Sequence, residues 1–278
     1  MGFRRDLSGL DTDINQALGR VIQQAFKYGI DCDIIHGGLL EGCVEQGIYE
    51  QSATQKYVIG SKRRLPDGRE FIYAKAGGVA LGKALMCEGP VGISNYREQV
   101  QTGYGWAAGA KSGTILITTG ATPAVDAWKD GYMVVNKGTG LGQLHKIKSN
   151  TSHATIPTVT LYDAIVAAFA ATAEVTIIAN PFNGTIVCPV TTLTSPPAGI
   201  PLIAVDIGYY YWSQVKGPAP ITVDTGDTLV IGEPCASAGT NAVAGAAGPA
   251  VTLEGHYGKV LYIGTADEIA IVQLDLGW

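Results

Sequence analysis

The chain has 278 residues, enough for one large or two modest domains with real cores. Charged side chains make up only 15% of it and glycine reaches 37 residues, where globular proteins average roughly 25% and roughly 7%; that balance predicts short strands, many turns and surface buried against other chains. A net charge of −5 argues against a nucleic-acid partner, since phosphate binding needs a basic patch, and with no run approaching ~18 apolar residues no membrane-spanning helix is expected.

Residues 8–28 carry the one convincing helical pattern. Ile14, Leu18, Val21, Ile22, Ala25 and Phe26 follow the stripe of a period-3.6 element. Ser8 or Asp11 can cap its start, and Gly29 stands where a left-handed C-terminal residue belongs. Upstream, Arg4 and Arg5 are followed by Asp6, Asp11 and Asp13 without an apolar core, so no secretory signal is expected. From Ile30 to Gln55 the glycines Gly37, Gly38, Gly42 and Gly47 break any periodicity, and the stretch reads as an extended arm. Burying large apolar side chains stabilises by roughly 1.5–3 kcal/mol each, so Ile14, Leu18, Val21, Ile22 and Phe26 need a partner. That partner is either the chain's own body or equivalent helices and neighbouring subunits, and the glycine-spaced reach favours the second.

From residue 56 the pattern turns to strands, and the expected class is mainly β, sandwich- or barrel-like units preceded by the helix and arm. Ser61 to Gly78 reads as a hairpin, with Pro66 presetting the turn, Asp67-Gly68 supplying the positive-φ position, and Phe71 to Lys75 alternating apolar and polar. Further strands are expected at Lys56–Gly60, Thr114–Thr119, Tyr132–Asn136, Gln143–Lys148, Glu174–Ala179, Thr185–Cys188, Leu202–Val205, Tyr209–Val215, Thr228–Ile231, Lys259–Ile263 and Glu268–Leu274. Leu161–Thr172 is alanine-rich but flanked by β-branched runs, and it reads as strand and loop. A proline-rich break divides the β region, giving an N-terminal helix and arm (1–55), a first β domain (56–188), a connection (189–201) and a C-terminal β domain (202–278). Ala236–Val251, nearly all small residues, reads as a long loop with one weak strand. Cys32, Cys43, Cys87, Cys188 and Cys235 are widely spaced without a C-x-x-C and read as reduced, buried thiols.

The hairpin wording, Asp67-Gly-Arg-Glu-Phe-Ile-Tyr-Ala-Lys-Ala-Gly-Gly78 followed by Ala80-Leu-Gly-Lys83, resembles the opening of accessory head proteins of tailed bacteriophages, the decoration or cement proteins of the capsid exterior. Asp130 to Gly140 with Gly142 to Lys148, then Ile178 to Val187, then Gly199 to Leu202 with Gly208 to Ala219, resemble later segments of that family in the same order. The resemblance covers roughly residues 56–275 and leaves residues 1–50 without a counterpart. It implies a structural virion protein, assembled in the host cytoplasm, that sits on the outer capsid surface, contacts the major capsid protein and self-associates as a homotrimer. A receptor- or glycan-binding tail or fibre component is the alternative.

The physical content of these segments is structural. Asn136 to Gly140 joins two strands, and Asn180-Pro181 with Asn183-Gly184 bracket a tight turn between the Glu174–Ala179 and Thr185–Cys188 strands. In Tyr209–Lys216 alternation sends Tyr209 and Tyr211 to one face and Tyr210 and Trp212 to the other. Aromatics on both faces are read either as two sides of one large core or as core on one side and a subunit contact on the other. The candidate interface residues are therefore Ile14, Leu18, Val21, Ile22, Phe26, Tyr209, Tyr210, Tyr211 and Trp212.

Catalytic patterns are weak. Asp224-Thr225-Gly226 is the aspartic-protease tripeptide, but with Asp227 next to it the segment reads as a polar turn. His36-Gly37-Gly38 matches a lipase oxyanion loop, yet no Gly-x-Ser-x-Gly supplies a nucleophile. Gly138, Gly140 and Gly142 miss the dinucleotide spacing. Cys32, His36 and Cys43 approach a zinc set that would still need a fourth ligand, and Asp11, Asp13 and Asn15 begin a calcium loop without its glycine and terminal glutamate. No catalytic residue, cofactor or metal is expected.

Overall fold

The computed structural model describes residues 46–120, 122–189, 193–224, 228–237, 245–249, 256–265 and 268–278. The expected helix, the stripe residues Ile14, Leu18, Val21, Ile22 and Phe26, and most of the arm lie outside them. The described residues are almost entirely β.

The first described strands form the expected hairpin, β1 (Lys62–Arg64) antiparallel to β2 (Glu70–Ala76), its turn carried by Gly68 at φ 86°. β3 (Cys87–Glu88) follows, then a 3-10 turn at Ser94–Tyr96 leads into β4 (Gln99–Val100), β5 (Ser112–Thr114), β6 (Tyr132–Lys137), β7 (Leu144–Asn150), β8 (Thr158–Leu161) and β9 (Glu174–Ile178). These last six form one sheet in the order β4-β9-β6-β7-β8-β5. Met133, Val135, Ile147, Val159, Val175 and Ile177 point from it into a core with Trp106, Trp128 and Phe169.

β10 (Asn183–Val187), β11 (Pro197–Pro201), β12 (Tyr210–Thr222), β13 (Pro234–Ser237), β14 (Ala247–Pro249), β15 (Gly258–Tyr262) and β16 (Ile269–Asp275) return to join β1–β3 in a second sheet. Its pairings β2–β10, β10–β3, β3–β11, β11–β12 and β12–β2 close into a ring. Ile72, Ala74, Cys87, Ala198, Tyr211 and Val215 fill one core of this ring, with small side chains where strands converge. Past Lys216 the long β12 leaves the ring and is zipped to β16, which carries β15 and then β13 and β14. A separate core of Ala219, Ile221, Val260, Ala270, Val272 and Leu274 lies under this extension.

This topology relocates the expected domain boundaries. Residues 70–75 pair with 210–216, so the first and last thirds of the chain share one sheet and the six-stranded unit is an insertion between them. The proline-rich stretch is not a linker: Pro197–Pro201 is a ring strand between β3 and β12. Gly199, at φ 104°, makes that possible, since its bulge brings the backbone so close that a Cβ would sit 2.4 Å from the Gln214 carbonyl oxygen. The Asn180 turn likewise does not join paired strands, because β9 and β10 belong to different sheets. Asn180 is the joint itself. Its buried amide donates to the carbonyls of Ile59 (3.3 Å) and Asp130 (3.2 Å), and its Oδ1 accepts the Phe182 N–H at 2.9 Å.

Lys56–Gly60 and Thr228–Ile231, expected as strands, are turns and extended backbone; the first gives its Gly60 N–H to Tyr73 O, and Gly232, just after the second, gives its N–H to Val260 O. Thr114–Thr119 keeps its alternation, with Ile115 and Ile117 buried, although only its start is laddered. Leu202–Val205 makes only an isolated bridge from Val205 to Leu81. Leu161 ends a strand and the residues after it form a loop, as its mixed composition predicted.

Candidate functional site

Among the described residues, several titratable groups serve the fold. Asp224 is buried and its N–H is donated to Ala247 O; Thr225, Gly226 and Asp227 lie outside the described residues, as do Asp11, Asp13, Cys32, His36 and Cys43. His153 Nδ1 accepts the N–H groups of Thr155 and Ile156 and staples its own loop. Among the described residues no three His, Cys, Asp or Glu side chains converge. Cys87, Cys188 and Cys235 are buried free thiols, and burial pushes Cys188 up to about 12 and Cys235 up to about 11. Two buried carboxylates escaped the sequence reading. Glu88 accepts the N–H groups of Thr194 (3.0 Å) and Ser195 (3.4 Å), fixing the segment before β11. Asp130 accepts the Tyr162 hydroxyl at 3.1 Å with Lys146 Nζ at 3.7 Å. Burial, and then Asp130, push the Tyr162 phenol up to about 12.

The aromatic run of β12 obeys the expected alternation, and both its faces are covered by this chain. Tyr211 is wholly buried in the ring core, with its hydroxyl 3.0 Å from Thr185 Oγ1. Trp212 lies on the opposite face among Tyr57, Phe71 and Tyr73. Of the two readings, Tyr211 and Trp212 pack as two sides of this chain's own core, since a ring encloses one face and the start of the described chain covers the other. Tyr209 and Tyr210 are half-buried; Tyr210 stacks on Tyr73 at 6.0 Å, and Lys75 Nζ lies 5.4 Å from its ring. The covering segment is anchored by Gln46. Its carbonyl accepts the Trp212 indole N–H (3.0 Å), its amide donates to Tyr210 O (2.8 Å), and its Oε1 accepts the Tyr73 hydroxyl (2.7 Å).

Two surfaces built of described residues combine exposed apolar side chains from several segments. The first is a cleft of about 650 Å³ between the inserted unit and the ring. Val91, Ile93 and Val125 are exposed apolar residues in it, and Lys75, Arg97 and Lys129 place cations on its walls. The second is the outer face of β12, β16 and β15. The registers Pro220↔Ile271↔Tyr262 and Pro218↔Gln273↔Lys259 lay two rows across the three strands, and Thr222↔Ile269 extends them. Tyr262 is 59% exposed, Ile269 43% and Ile271 41%, while Ala270, Val272 and Leu274 between them are buried. The alternation of β16 was legible in the sequence, but Ile269 and Ile271 face outward while Ala270, Val272 and Leu274 fill the core.

Comparison with protein-family models, with curated proteins and with solved structures finds no match.

Proposed function

We propose that this chain is a structural protein of a tailed-phage virion that sits on the outer capsid surface and cements the shell by bridging major capsid subunits. The observation that carries the reading is the ordered motif series from Asp67 to Ala219, whose segments are hairpin, joint and ring-strand residues of one β body. The mechanism is mechanical. Each contact is modest, and linkage of several contacts through one rigid body gives high effective concentration, so separating neighbouring capsomers requires breaking them together. Self-association as a closed trimer multiplies the contacts further. The inter-unit cleft is the surface we assign to the capsid contact, because it combines exposed apolar side chains with cations beside half-buried Tyr210.

The test is the composition and imaging of purified virions. The chain is expected in the head fraction in fixed ratio to the major capsid protein, and particles lacking it should show missing surface density and lower resistance to osmotic shock. Its absence from heads, or confinement to tails together with binding on a glycan array, overturns the proposal in favour of a receptor-binding component.

A further inference from the structure

We infer that the cleft between the inserted unit and the ring receives a short acidic peptide segment carrying apolar side chains, its carboxylates meeting Lys75, Arg97 and Lys129. The peptide chemistry follows from the cleft itself; that the segment belongs to a major capsid subunit rests on the function proposed above. The chain as a whole is acidic, with 24 Asp and Glu against 19 Lys and Arg, yet three cations and one carboxylate, Asp126, line this cleft. Among the described residues none of the three cations makes an ion pair. They come from both sides. Lys75 stands on β2 of the ring, its Nζ 5.4 Å from the Tyr210 ring. Arg97 and Lys129 belong to the inserted unit. Arg97 follows the Ser94–Tyr96 turn and lies across Gly92, where a Cβ would collide with the guanidinium. Lys129 closes a turn by donating its N–H to Asp126 O at 3.1 Å.

The walls narrow the class of anion. Val91, Ile93 and Val125, the last 68% exposed, offer apolar contacts beside the cations. The hydroxyls of a carbohydrate would find no partner on those side chains. A nucleic acid needs a longer basic track than three cations in an acidic chain provide. A volume of about 650 Å³ suits a ligand or a short peptide segment, and a folded body such as a second copy cannot enter it. A segment that mixes carboxylates with aliphatic side chains matches both the cations and the valines. Bound there, it is gripped by the ring and the inserted unit at once.

The full-length protein is titrated calorimetrically with a synthetic peptide alternating glutamate and leucine, and with lysine–leucine and glutamate–serine controls. The glutamate–leucine peptide should bind at least about tenfold tighter than either control, because only it satisfies both features. Lys129→Glu should weaken that binding at least about fivefold and Val125→Ser about threefold. Lys259→Glu, the same charge change at an exposed site on the outer sheet face, should leave it unchanged. Absent binding, equal binding of the three peptides, or an equal loss with Lys259→Glu would overturn the inference. In purified virions a zero-length carbodiimide should join Lys75 or Lys129 to an aspartate or glutamate of the major capsid protein. A chain present on heads whose two lysines form no such link refutes the capsid segment as occupant. A chain absent from heads refutes the proposed function instead, and the peptide titration then decides the cleft by itself.

Discussion

Asn180→Ala should loosen the joint between the inserted unit and the ring. The side chain is buried and makes three hydrogen bonds, to Ile59 O, to Asp130 O and from Phe182 N–H. Truncation strands a buried N–H and removes the donor from two carbonyls. An unsatisfied buried group costs about 1–3 kcal/mol, and the two lost donors add roughly 0.5–1.5 kcal/mol each, so we expect a destabilisation of about 3 kcal/mol. Asn180→Asp keeps the volume and the acceptor while losing both donors, so it separates hydrogen bonding from packing and should also destabilise at pH 7. The assay is equilibrium unfolding in urea followed by tryptophan fluorescence, with Trp106 and Trp128 reporting the inserted unit and Trp212 the ring. A loss below about 0.5 kcal/mol for Asn180→Ala would refute the reasoning. So would a neutral Asn180→Asp, which would leave packing as the side chain's whole contribution.

Local features were legible in the sequence because their causes are local. The β1–β2 hairpin follows from Asp67-Gly68, the β6–β7 connection from Gly138 and Gly140, both at positive φ, and the alternation of β12 and β16 from side-chain period. What escaped was partner choice. Nothing in Phe71 to Lys75 says that its neighbour is Tyr210 to Gln214, because antiparallel pairing across a long loop leaves no mark at either strand. Prolines misled for a physical reason: Pro197 and Pro201 flank a glycine bulge inside the ring, and Pro218 and Pro220 lie where β12 has β16 as its sole strand partner among the described residues. Glu88 and Asp130 were invisible because a carboxylate in sequence carries no sign of the backbone N–H or hydroxyl that will meet it. The two open surfaces were equally out of reach, since each is assembled from segments distant in the chain.

Gly199→Ala should destabilise severely and lower soluble yield, because its Cβ would meet the Gln214 carbonyl at 2.4 Å at a backbone φ of 104°; a thermal midpoint within about 2 °C of the parent would show that the bulge relaxes freely. Stability should fall as pH rises from about 9 to about 12: burial lifts Cys188 to about 12, Cys235 to about 11 and Tyr73 to about 12 from ordinary values of 9.0, 9.0 and 10.0. The folded chain favours their neutral forms, so this contribution is complete below the ordinary values and is lost as pH climbs through the raised ones; a urea midpoint flat from pH 8 to pH 11 would contradict it. The last prediction concerns the relocated boundary. If residues 56–188 and 202–278 were separate domains, each would fold when expressed alone, yet β2 needs β12 along six registered pairs and β12 lies in the second fragment. Each fragment would also expose half of the ring core, including Ile72 and Ala74 on one side and Tyr211 and Val215 on the other, with unpaired strand edges that template aggregation. Neither fragment should fold by itself, whereas residues 94–180, which hold all six strands of the inserted sheet and its core, should give a cooperative unfolding transition alone. A folded 202–278 fragment together with an unfolded 94–180 fragment would restore the proline-rich stretch as the true divide.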